Sequence, residues 1–236
     1  MENNAVKNLK KEAAEAALDY LIKNFSANTV LGVGTGSTVD YFINALAARK
    51  PHFSQFVSSS IATKKQLDEK KLTVLNTSRI HHLPVYIDGA DEINFMGEMI
   101  KGGGGALTGE KILAAMTKEF ICIATDNKLV NQLGKFPLPV EIISNAKTLI
   151  VNRFKNLNGK AQLRYRTDGS LFLTDNHNPI LDVYNLCLEQ PIKMEAEINS
   201  WPGVITVGLF VNSLQASRAF IASEKGIDEK IFTQVS

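Results

Sequence analysis

The residues of this chain that could do chemistry are concentrated between positions 88 and 111. They comprise three acids, a lysine followed by a run of glycines, and a Glu-Lys pair: Asp88, Asp91, Glu92, Lys101, Gly102 to Gly105, Glu110 and Lys111. Successive glycines lose much backbone entropy on folding and pack nothing, but they let a ligand approach the main chain closely. Acids on one side and a lysine on the other indicate proton transfer beside an anion. This segment is therefore the predicted reaction centre.

A second candidate site follows the apolar run from Thr29 to Val33 (T-V-L-G-V), which is typical of a buried parallel strand. Residues 34–38 (G-T-G-S-T) come next and lead into a segment with helical periodicity. Such a loop offers amides, hydroxyls and a helix N-terminus to an anion, so it predicts phosphate binding. The alternative is a tight turn in which Ser37 or Thr38 caps the helix. The spacing matches neither a dinucleotide fingerprint nor a Walker loop.

The elements that must position these residues predict an α/β fold. Apolar strand segments alternate with amphipathic helical segments, and this alternation is typical of a mostly parallel sheet. Strands are expected at 29–33, 56–58, 72–75, 84–87 and 120–125, and helices at 5–23, 39–49, 64–71 and 107–118. Loops at the carboxyl ends of parallel strands hold the sites of doubly wound folds, and Asp88 and Lys128 lie in such loops. The residues of the last helix expected to face inward are Leu107, Ile112, Leu113 and Met116.

The pattern changes near Pro137 to alternating segments joined by turns. Strands are expected at 136–142, 161–166, 171–175, 180–184 and 204–210, with helices at 146–154 and 191–199. This order predicts a small α+β unit with an antiparallel sheet. A late strand from Arg218 to Ser223 would return the chain to the first unit. The predicted division assigns 1–131 and 207–236 to the larger unit and 132–206 to the smaller one.

Composition narrows the class of protein. The 236 residues are 44% hydrophobic, which suffices for a sizeable core, and 26 basic against 24 acidic side chains leave a net charge of +2. That balance does not predict a nucleic-acid surface. The polar N-terminus is not typical of a signal peptide, and no apolar run approaches the ~20 residues of a membrane span, so a cytoplasmic location without membrane contact is expected. Cys122 and Cys187 are expected to be buried free thiols, and His81 and His82 to lie at the surface.

A sugar phosphate would use all of these features. Its phosphate would be anchored at residues 35–38, while the carboxylates of Asp88 and Asp91 would face its hydroxyls. Aldose–ketose isomerisation needs a base that moves a proton between adjacent carbons, and cations or dipoles that stabilise an enediolate. Glu110 can be the base, Lys101 and the glycine amides can stabilise the oxyanion, and Asp88 is a candidate for opening the sugar ring. The structural alternative for Glu110 is a favourable acid at a helix N-terminus. Glu92 is expected to be a structural anchor.

Four motifs occur in order: G-V-G-T-G-S-T, D-G-A-D-E-I-N, K-G-G-G-G-A-L-T-G-E-K and G-K-F-P-L-P-V-E. Together they resemble the ribose-5-phosphate isomerase family, type A, over essentially the whole chain. The resemblance implies an α/β fold, with a Rossmann-like, mostly parallel sheet domain and an inserted small α+β (ferredoxin-like) domain. It also implies interconversion of ribose 5-phosphate and ribulose 5-phosphate in the non-oxidative pentose phosphate pathway. The family works without metal or organic cofactor and forms homodimers or tetramers.

The same resemblance assigns residues. It places the proton acceptor at Glu110. Its substrate-binding positions fall on Thr35, Gly36, Ser37, Thr38, Asp88, Gly89, Ala90, Asp91, Lys101, Gly102, Gly103, Gly104, Lys128 and, with a looser match, Lys10. Three residues depart from the family pattern: Gly105 stands where alanine is frequent, Gly109 where arginine is common, and Ile61 where aspartate is frequent. These departures are expected to alter loop stiffness or affinity and not the chemistry.

Three other functions are open from the residues. Asp88, Asp91 and Glu92 could together hold Mg²⁺, although Lys101 would compete for their charge. A similar α/β domain could instead serve as a sugar-phosphate sensor without catalysis. A third possibility is another activity on a related scaffold, such as acyl-CoA transfer or aminosugar deamination. The combination of Asp88, Lys101 and Glu110 argues against the third.

Overall fold

The computed structural model describes residues 4–49 and 52–233 of the chain. In these ranges the helices are α1 Asn4–Asn24, α2 Ser37–Ala48, α3 Ile61–Glu69, α4 Leu107–Met116, α5 Lys147–Asn156 and α6 Pro191–Asn199. The strands are β1 Val30–Val33, β2 Gln55–Ser58, β3 Leu83–Asp88, β4 Glu92–Ile93, β5 Met99–Ile100, β6 Thr117–Thr125, β7 Leu138–Ile142, β8 Lys160–Leu163, β9 Ile180–Tyr184, β10 Val204–Val207, β11 Leu209–Phe210, β12 Arg218–Ser223 and β13 Gly226–Ile231. None of the described helices combines the length and apolar character needed to cross a bilayer.

The central sheet has the strand order β13-β12-β6-β3-β1-β2. Neighbours from β2 to β12 pair in parallel, whereas the edge strand β13 runs antiparallel to β12. From β1 the chain passes outward to β2 and then returns on the other side of β1 as β3. The strand order therefore reverses between β1 and β3, which is where doubly wound sheets bind their ligands. The predicted α/β class with a mostly parallel sheet is confirmed.

Helices cover both faces of this sheet, so its inner strands are continuous apolar runs. On one face α1, α2 and α3 pack on strand residues such as Leu31 and Val85. On the other face Leu113 of α4 belongs to the core cluster that contains Tyr86. Side chains alternate along a strand. Asp88 therefore leaves β3 on the same face as Tyr86, toward α4.

The smaller sheet has the order β10-β7-β9-β8, and all its pairs are antiparallel. The elements follow the chain as β7-α5-β8-β9-α6-β10, which is the ferredoxin-like βαββαβ arrangement predicted for the inserted unit. Helices α5 and α6 pack on this sheet through Phe154 and Ile198. The division of the chain at 131/132 and 206/207 stays a proposal, and residues 1–3, 50–51 and 234–236 of it lie outside the described residues.

A small sheet, β11-β5-β4, was not expected from the sequence. Its strands contain two residues each, which is too short for a periodic signal. The sheet matters for the site because β4 and β5 form a hairpin between Asp91 and Lys101. The Asp91 amide donates to the Ile100 carbonyl at 2.9 Å, and the Lys101 amide donates to the Gly208 carbonyl at 2.9 Å. The hairpin thus brings Asp91 and Lys101, ten positions apart in sequence, side by side.

Two predicted strands, 72–75 and 171–175, are wrong. The first contacts β2 through the single bridge Phe56–Val74, and the second forms only the bridges Tyr165–Leu171 and Leu173–Pro179. Tight turns bound the second segment on both sides, since the Gly169 amide donates to Arg166 and the His177 amide to Thr174. These turns leave room for isolated pairs but not for a continuous ladder.

Two side chains that were predicted to be buried are exposed. Ile112 is 48% exposed because the buried stripe of α4 runs through Leu107, Glu110, Leu113 and Ala114. Cys187 is exposed because it alternates with the buried Leu186 and Leu188. Cys122 is buried, and His81 and His82 are exposed, as predicted.

Candidate active site

A cavity of about 150 Å³ lies at the carboxyl ends of β1, β3 and β6, where the strand order reverses. Its lining includes Glu110 and every predicted substrate residue except Asp88, namely Lys10, Thr35, Gly36, Ser37, Thr38, Gly89, Ala90, Asp91, Lys101, Gly102, Gly103, Gly104 and Lys128. Val39, Ala124 and Thr125 complete the lining without having been predicted. Segments that are remote in sequence therefore converge on one cavity.

The loop between β1 and α2 forms one wall of the cavity. Gly36 has a φ of +115°, a conformation that favours glycine, and α2 begins at the next residue, Ser37. The N-cap residue is Gly36, with no side-chain cap, so the alternative in which Ser37 or Thr38 caps the helix does not hold. The amides of the first helical turn have no acceptor within the helix and are available to an anion.

Hydroxyls at the start of α3 hold this wall in place. The Thr63 hydroxyl donates to the Gly34 carbonyl at 2.7 Å, and the Ser60 hydroxyl donates to Thr35 Oγ1 at 3.1 Å. Ser60 also caps α3 by accepting from the Thr63 amide at 3.0 Å. With Ser60 as its N-cap, α3 begins at Ile61, three residues before the predicted start at position 64.

Two lysines also line the cavity, and Lys10 contacts this wall at the start of α2. Lys10 of α1 donates from Nζ to Ser37 Oγ at 2.7 Å. Lys128 follows β6 and lies 5.8 Å from the centre of the Phe136 ring. Both side chains are half-buried. Positive charges beside a helix N-terminus are the arrangement that a phosphate prefers.

The glycine loop is tied to Asp91. The Gly103 amide donates to Asp91 Oδ2 at 2.7 Å. Burial raises the pKa of Asp91, and the Gly103 amide and the Lys101 charge oppose this rise. Asp91 therefore shapes the loop and also borders the cavity.

Lys101 is buried, with 2% of its surface exposed, and faces three acceptors. Its Nζ lies 2.6 Å from the Gly89 carbonyl oxygen, 2.8 Å from Asp88 Oδ2 and 3.4 Å from Glu110 Oε1. Burial lowers the pKa of a lysine, but here the charges of Asp88 and Glu110 outweigh burial and raise the pKa of Lys101 above its usual value. The ammonium therefore keeps its proton beside the cavity.

Asp88 lies behind the cavity wall. It is fully buried. Its Oδ1 accepts from the Thr35 amide at 3.1 Å and the Gly89 amide at 2.7 Å. Its Oδ2 accepts from the Tyr86 hydroxyl and pairs with Lys101. The prediction that Asp88 faces the sugar hydroxyls is therefore corrected, because its oxygens are taken up by protein donors and it is not part of the lining.

Glu110 lies in the first turn of α4 and lines the cavity. One carboxylate oxygen, Oε1, faces Lys101, whereas the buried Oε2 has no hydrogen-bond partner within the described part of the chain. Burial raises the pKa of Glu110 to about 8, although the Lys101 charge opposes the rise. A buried carboxyl with a raised pKa and an uncommitted oxygen in a cavity is typical of a general base.

Glu92 is a structural anchor, as predicted. Its Oε2 accepts from the Gly134 amide at 2.8 Å and its Oε1 from the Phe136 amide at 2.5 Å. The three acids of the alternative magnesium site therefore contact different partners. Glu92 binds the 134–136 loop, Asp91 binds the glycine loop, and Asp88 pairs with Lys101. Among the described residues no group of three or more His, Cys, Asp and Glu side chains could hold a metal ion.

Arg164 is a site residue that sequence reasoning missed. From the end of β8 its Nη1 donates to the carbonyls of Gly102 at 2.9 Å and Gly103 at 3.0 Å. The other side of the guanidinium donates to both oxygens of Asp182 on β9. The smaller unit thus holds the glycine loop from behind. The only signal in the sequence was an arginine and an aspartate on two predicted strands, and their pairing depends on a register that no local pattern specifies.

The departures from the family pattern have structural consequences. At Gly109 a Cβ would lie 2.0 Å from the Ser59 carbonyl oxygen, and at Gly105, where φ is +86°, it would lie 2.3 Å from the Phe172 ring. Neither position accepts a side chain without displacement of its neighbour. Ile61 is 65% exposed, and its amide donates to Asp175 Oδ2 at 2.8 Å.

Comparison with known families gives one match over most of the chain. Residues 55–226 match the family described as ribose 5-phosphate isomerase A (phosphoriboisomerase A). The match covers β2 to the first residue of β13 and so contains the glycine loop, Glu110 and Lys128. The loop at residues 34–38 lies before the matched segment.

Solved structures extend the likeness to nearly the whole chain. A ribose 5 phosphate isomerase A from Neisseria gonorrhoeae is 37% identical, with a TM-score of 0.89 over 97% of this chain and 98% of that chain. A ribose 5-phosphate isomerase A from Methanocaldococcus jannaschii is 30% identical, with a TM-score of 0.87 over 95% and 98%. A D-ribose-5-phosphate isomerase in complex with phospho-erythronic acid is 32% identical, with a TM-score of 0.88 over 96% and 99%.

Proposed function

Because the chain belongs to the ribose 5-phosphate isomerase A family, we propose that Glu110 moves a proton between the first two carbons of ribose 5-phosphate in this cavity. The reaction is the reversible conversion of ribose 5-phosphate to ribulose 5-phosphate. Two observations carry the proposal: Glu110 lines the cavity, and its buried oxygen Oε2 has no hydrogen-bond partner in the described chain.

The phosphate of the substrate is proposed to bind at residues 35–38. The first-turn amides of α2 and the hydroxyls of this loop are donors, and the charges of Lys10 and Lys128 complement the dianion. A relative bound to phospho-erythronic acid supports this class of ligand, because that compound carries both a phosphate and a planar carboxylate. The planar carboxylate resembles the delocalised charge of an enediolate.

Proton transfer then follows from the open-chain aldehyde. The Glu110 carboxylate removes the proton from C2, and the electrons of that bond form the C1–C2 double bond while charge moves onto the C1 oxygen. The Lys101 ammonium and the glycine-loop amides stabilise this oxyanion. Glu110 returns the proton to C1, and the hydroxyl proton of C2 passes to the C1 oxygen, so the C2 ketone of ribulose 5-phosphate forms.

Asp88 is proposed to act through Lys101. The Asp88 carboxylate is fully buried and lies 2.8 Å from the Lys101 ammonium. It therefore orients this ammonium and favours its protonated form. The ring opening that the sequence suggested for Asp88 would then proceed through the Lys101 ammonium, which contacts both the carboxylate and the cavity.

The direct test is ketose formation from ribose 5-phosphate by the purified protein in buffer treated with a chelator. We expect full activity under these conditions, because the proposed chemistry uses protein groups alone. Loss of activity on chelation, with recovery on addition of Mg²⁺, would instead support a metal-dependent site.

The substrate contacts are tested by KM. Thr38→Ala and Lys128→Ala remove donors from the proposed phosphate wall, so both variants should raise KM by about tenfold, the equivalent of one hydrogen bond to a charged group. Lys64→Ala is the matched control, because Lys64 lies outside the cavity and pairs with Asp68 on the surface of α3. Unchanged KM values in both Thr38→Ala and Lys128→Ala would refute these substrate contacts.

We also propose that the chain assembles as a homodimer, with a tetramer as the alternative. The resemblance implies this assembly, and the edge strand β13 presents Ile227, 39% exposed, and Ile231, 72% exposed. An edge strand with exposed apolar side chains is a surface that a second copy can cover. Light scattering on the purified protein measures the assembly, and a monomer at micromolar concentration would contradict the proposal.

A further inference from the structure

Tyr86 is a buried side chain with a polar hydroxyl, and it has no role in the reaction proposed above. It belongs to β3 and is fully buried in the core between the sheet and α4. Its ring packs on Phe120, with the ring centres 4.8 Å apart. Its hydroxyl reaches the end of the strand and donates to Asp88 Oδ2. A phenylalanine would fill the same apolar space, so packing does not explain the hydroxyl.

Asp88 Oδ2 has two donors that share it, the Tyr86 hydroxyl and the Lys101 ammonium. The ammonium has three hydrogens. Two of them are directed at Asp88 and at the Gly89 carbonyl, at 2.8 Å and 2.6 Å. The third is free to face Glu110 Oε1, 3.4 Å away, or a substrate oxygen. The strength of the Asp88–Lys101 pair therefore decides how much of the positive charge of Lys101 is available on the cavity side.

We propose that Tyr86 is a positioning residue of the isomerase: its hydroxyl takes up part of the Asp88 charge and so keeps the Lys101 ammonium poised toward Glu110 and the substrate oxyanion. Burial and the Asp88 charge raise the pKa of Tyr86 well above its ordinary value, so the hydroxyl keeps its proton and donates. The ionisable groups around this pair are Lys101, Glu110 and Asp91 on the cavity side and Cys122 on the neighbouring strand β6. This inference rests on the proposed function of Glu110 and Lys101.

The test is Tyr86→Phe, assayed for ketose formation across a range of pH. Without the hydroxyl, Asp88 attracts Lys101 more strongly, and the ammonium moves away from the cavity side. We expect kcat to fall about tenfold, as for loss of one hydrogen bond to a charged group, with KM changed less than about twofold. The acid limb of the kcat/KM profile should move to higher pH, because Glu110 loses part of the stabilisation that the ammonium gives its charged form.

Tyr20→Phe is the matched control. The Tyr20 hydroxyl also donates to a carboxylate, Glu119 Oε1 at 2.8 Å, on the same sheet but outside the cavity. This variant should retain the wild-type kcat and pH profile. A loss of kcat in Tyr86→Phe without a shift of the acid limb, or equal effects in both variants, would overturn the proposal in favour of a structural role.

A double variant tests the route through Asp88. If Tyr86 acts through this carboxylate, then Tyr86→Phe should change kcat less than about twofold in the background of Asp88→Asn. Should Tyr86→Phe fail to fold, 3-fluorotyrosine at position 86 keeps the hydroxyl as a stronger donor and should move the acid limb to lower pH. An unmoved limb would overturn the proposal. Absence of isomerase activity in the wild type would refute the proposed function itself, so the two outcomes can be told apart.

Discussion

Glu110 is the less compensated of two buried carboxylates that share one ammonium. Lys101 lies 2.8 Å from Asp88 but 3.4 Å from Glu110, and Asp88 has three further donors whereas one oxygen of Glu110 has none in the described chain. Burial disfavours a charge that is not fully compensated, so the pKa of Glu110 rises to about 8 while Lys101 keeps its proton. A base with this pKa holds a removed proton well near neutral pH.

The pH profile follows from this imbalance. The base must be deprotonated to react, so kcat/KM should fall tenfold per pH unit as the pH drops below the pKa of Glu110 in the free enzyme. We expect the midpoint of this acid limb near pH 8, and steady-state rates between pH 5 and 10 would locate it. A midpoint near 4.5, the ordinary value for a glutamate, would contradict the assignment.

Residue type and spacing were enough to predict that Glu110 and Lys101 lie together in one cavity, because an acid beside a lysine and a glycine loop has few structural uses. Their roles in proton transfer stay a proposal. They were not enough to predict the burial of Asp88. The side chain of Asp88 points to the same face of β3 as Tyr86, because side chains alternate along a strand. It therefore lies behind the cavity wall, on the side of α4. A local pattern cannot predict which carboxylate of a cluster has its oxygens occupied by protein donors.

The glycine loop depends on a neighbouring unit for its shape. Successive glycines have wide conformational freedom. Arg164 limits that freedom, because its guanidinium connects the Gly102 and Gly103 carbonyls to Asp182. The planar guanidinium thereby sets the conformation of the loop. The glycine-loop amides are then positioned before any ligand binds, and donors fixed in this way supply much of the rate enhancement of enzymes. Their contact with the substrate stays a proposal.

Arg164→Lys tests this clamp. Lysine keeps the charge but cannot bridge the aspartate and two carbonyls at once, so kcat/KM should fall about 10- to 100-fold through misplacement of the loop. Arg166→Lys is the matched control: the Arg166 guanidinium lies over the same Phe172 ring, but within the described residues it donates to one acceptor, the Leu171 carbonyl. Equal kcat/KM values in the two lysine variants would show that the bridging geometry is not used.

Periodicity predicted the long elements well and the short ones poorly. Helix α1, of 21 residues, carries a stripe of apolar residues, so its position was predicted to within one residue. The β4–β5 hairpin has strands of two residues and no such stripe, yet it sets the approach of Asp91 to Lys101. The pairing of Arg164 with Asp182 was equally hidden, since it arises from the register between β8 and β9.

Helix α4, which carries Glu110, contacts both the large sheet and the small one. Lys111 of α4 donates to Glu195 of α6 at 2.5 Å and to the Leu209 carbonyl at 2.6 Å. Thr108, in the first turn of α4, donates to Glu141 of β7 at 2.5 Å. The helix that carries Glu110 is therefore packed on the large sheet and hydrogen-bonded to the small one. Such nonlocal contacts were not predictable from the order of strand and helix segments that predicted the two units.

Glu195→Ala tests this attachment. Lys111 and Glu195 are 14% and 9% exposed, so the variant leaves an ammonium buried without its carboxylate, and the free energy of unfolding should fall by about 3 kcal/mol. Urea unfolding measures the change. Asp68→Ala is the control, because it removes an exposed ion pair with Lys64 and should change stability little. A Glu195→Ala variant as stable as Asp68→Ala would show that the pair does not fasten α4.

Glu110→Gln, assayed at saturating ribose 5-phosphate, tests the assignment of the base most directly. The substitution keeps the size of the side chain and removes its ability to accept a proton. We expect kcat to fall by about 10²- to 10⁴-fold, the usual contribution of a positioned base, while calorimetric binding of the substrate persists. Glu119→Gln, at the far end of β6, should keep the wild-type kcat. A Glu110→Gln variant with a kcat within tenfold of the wild type would contradict the role of Glu110 in proton transfer.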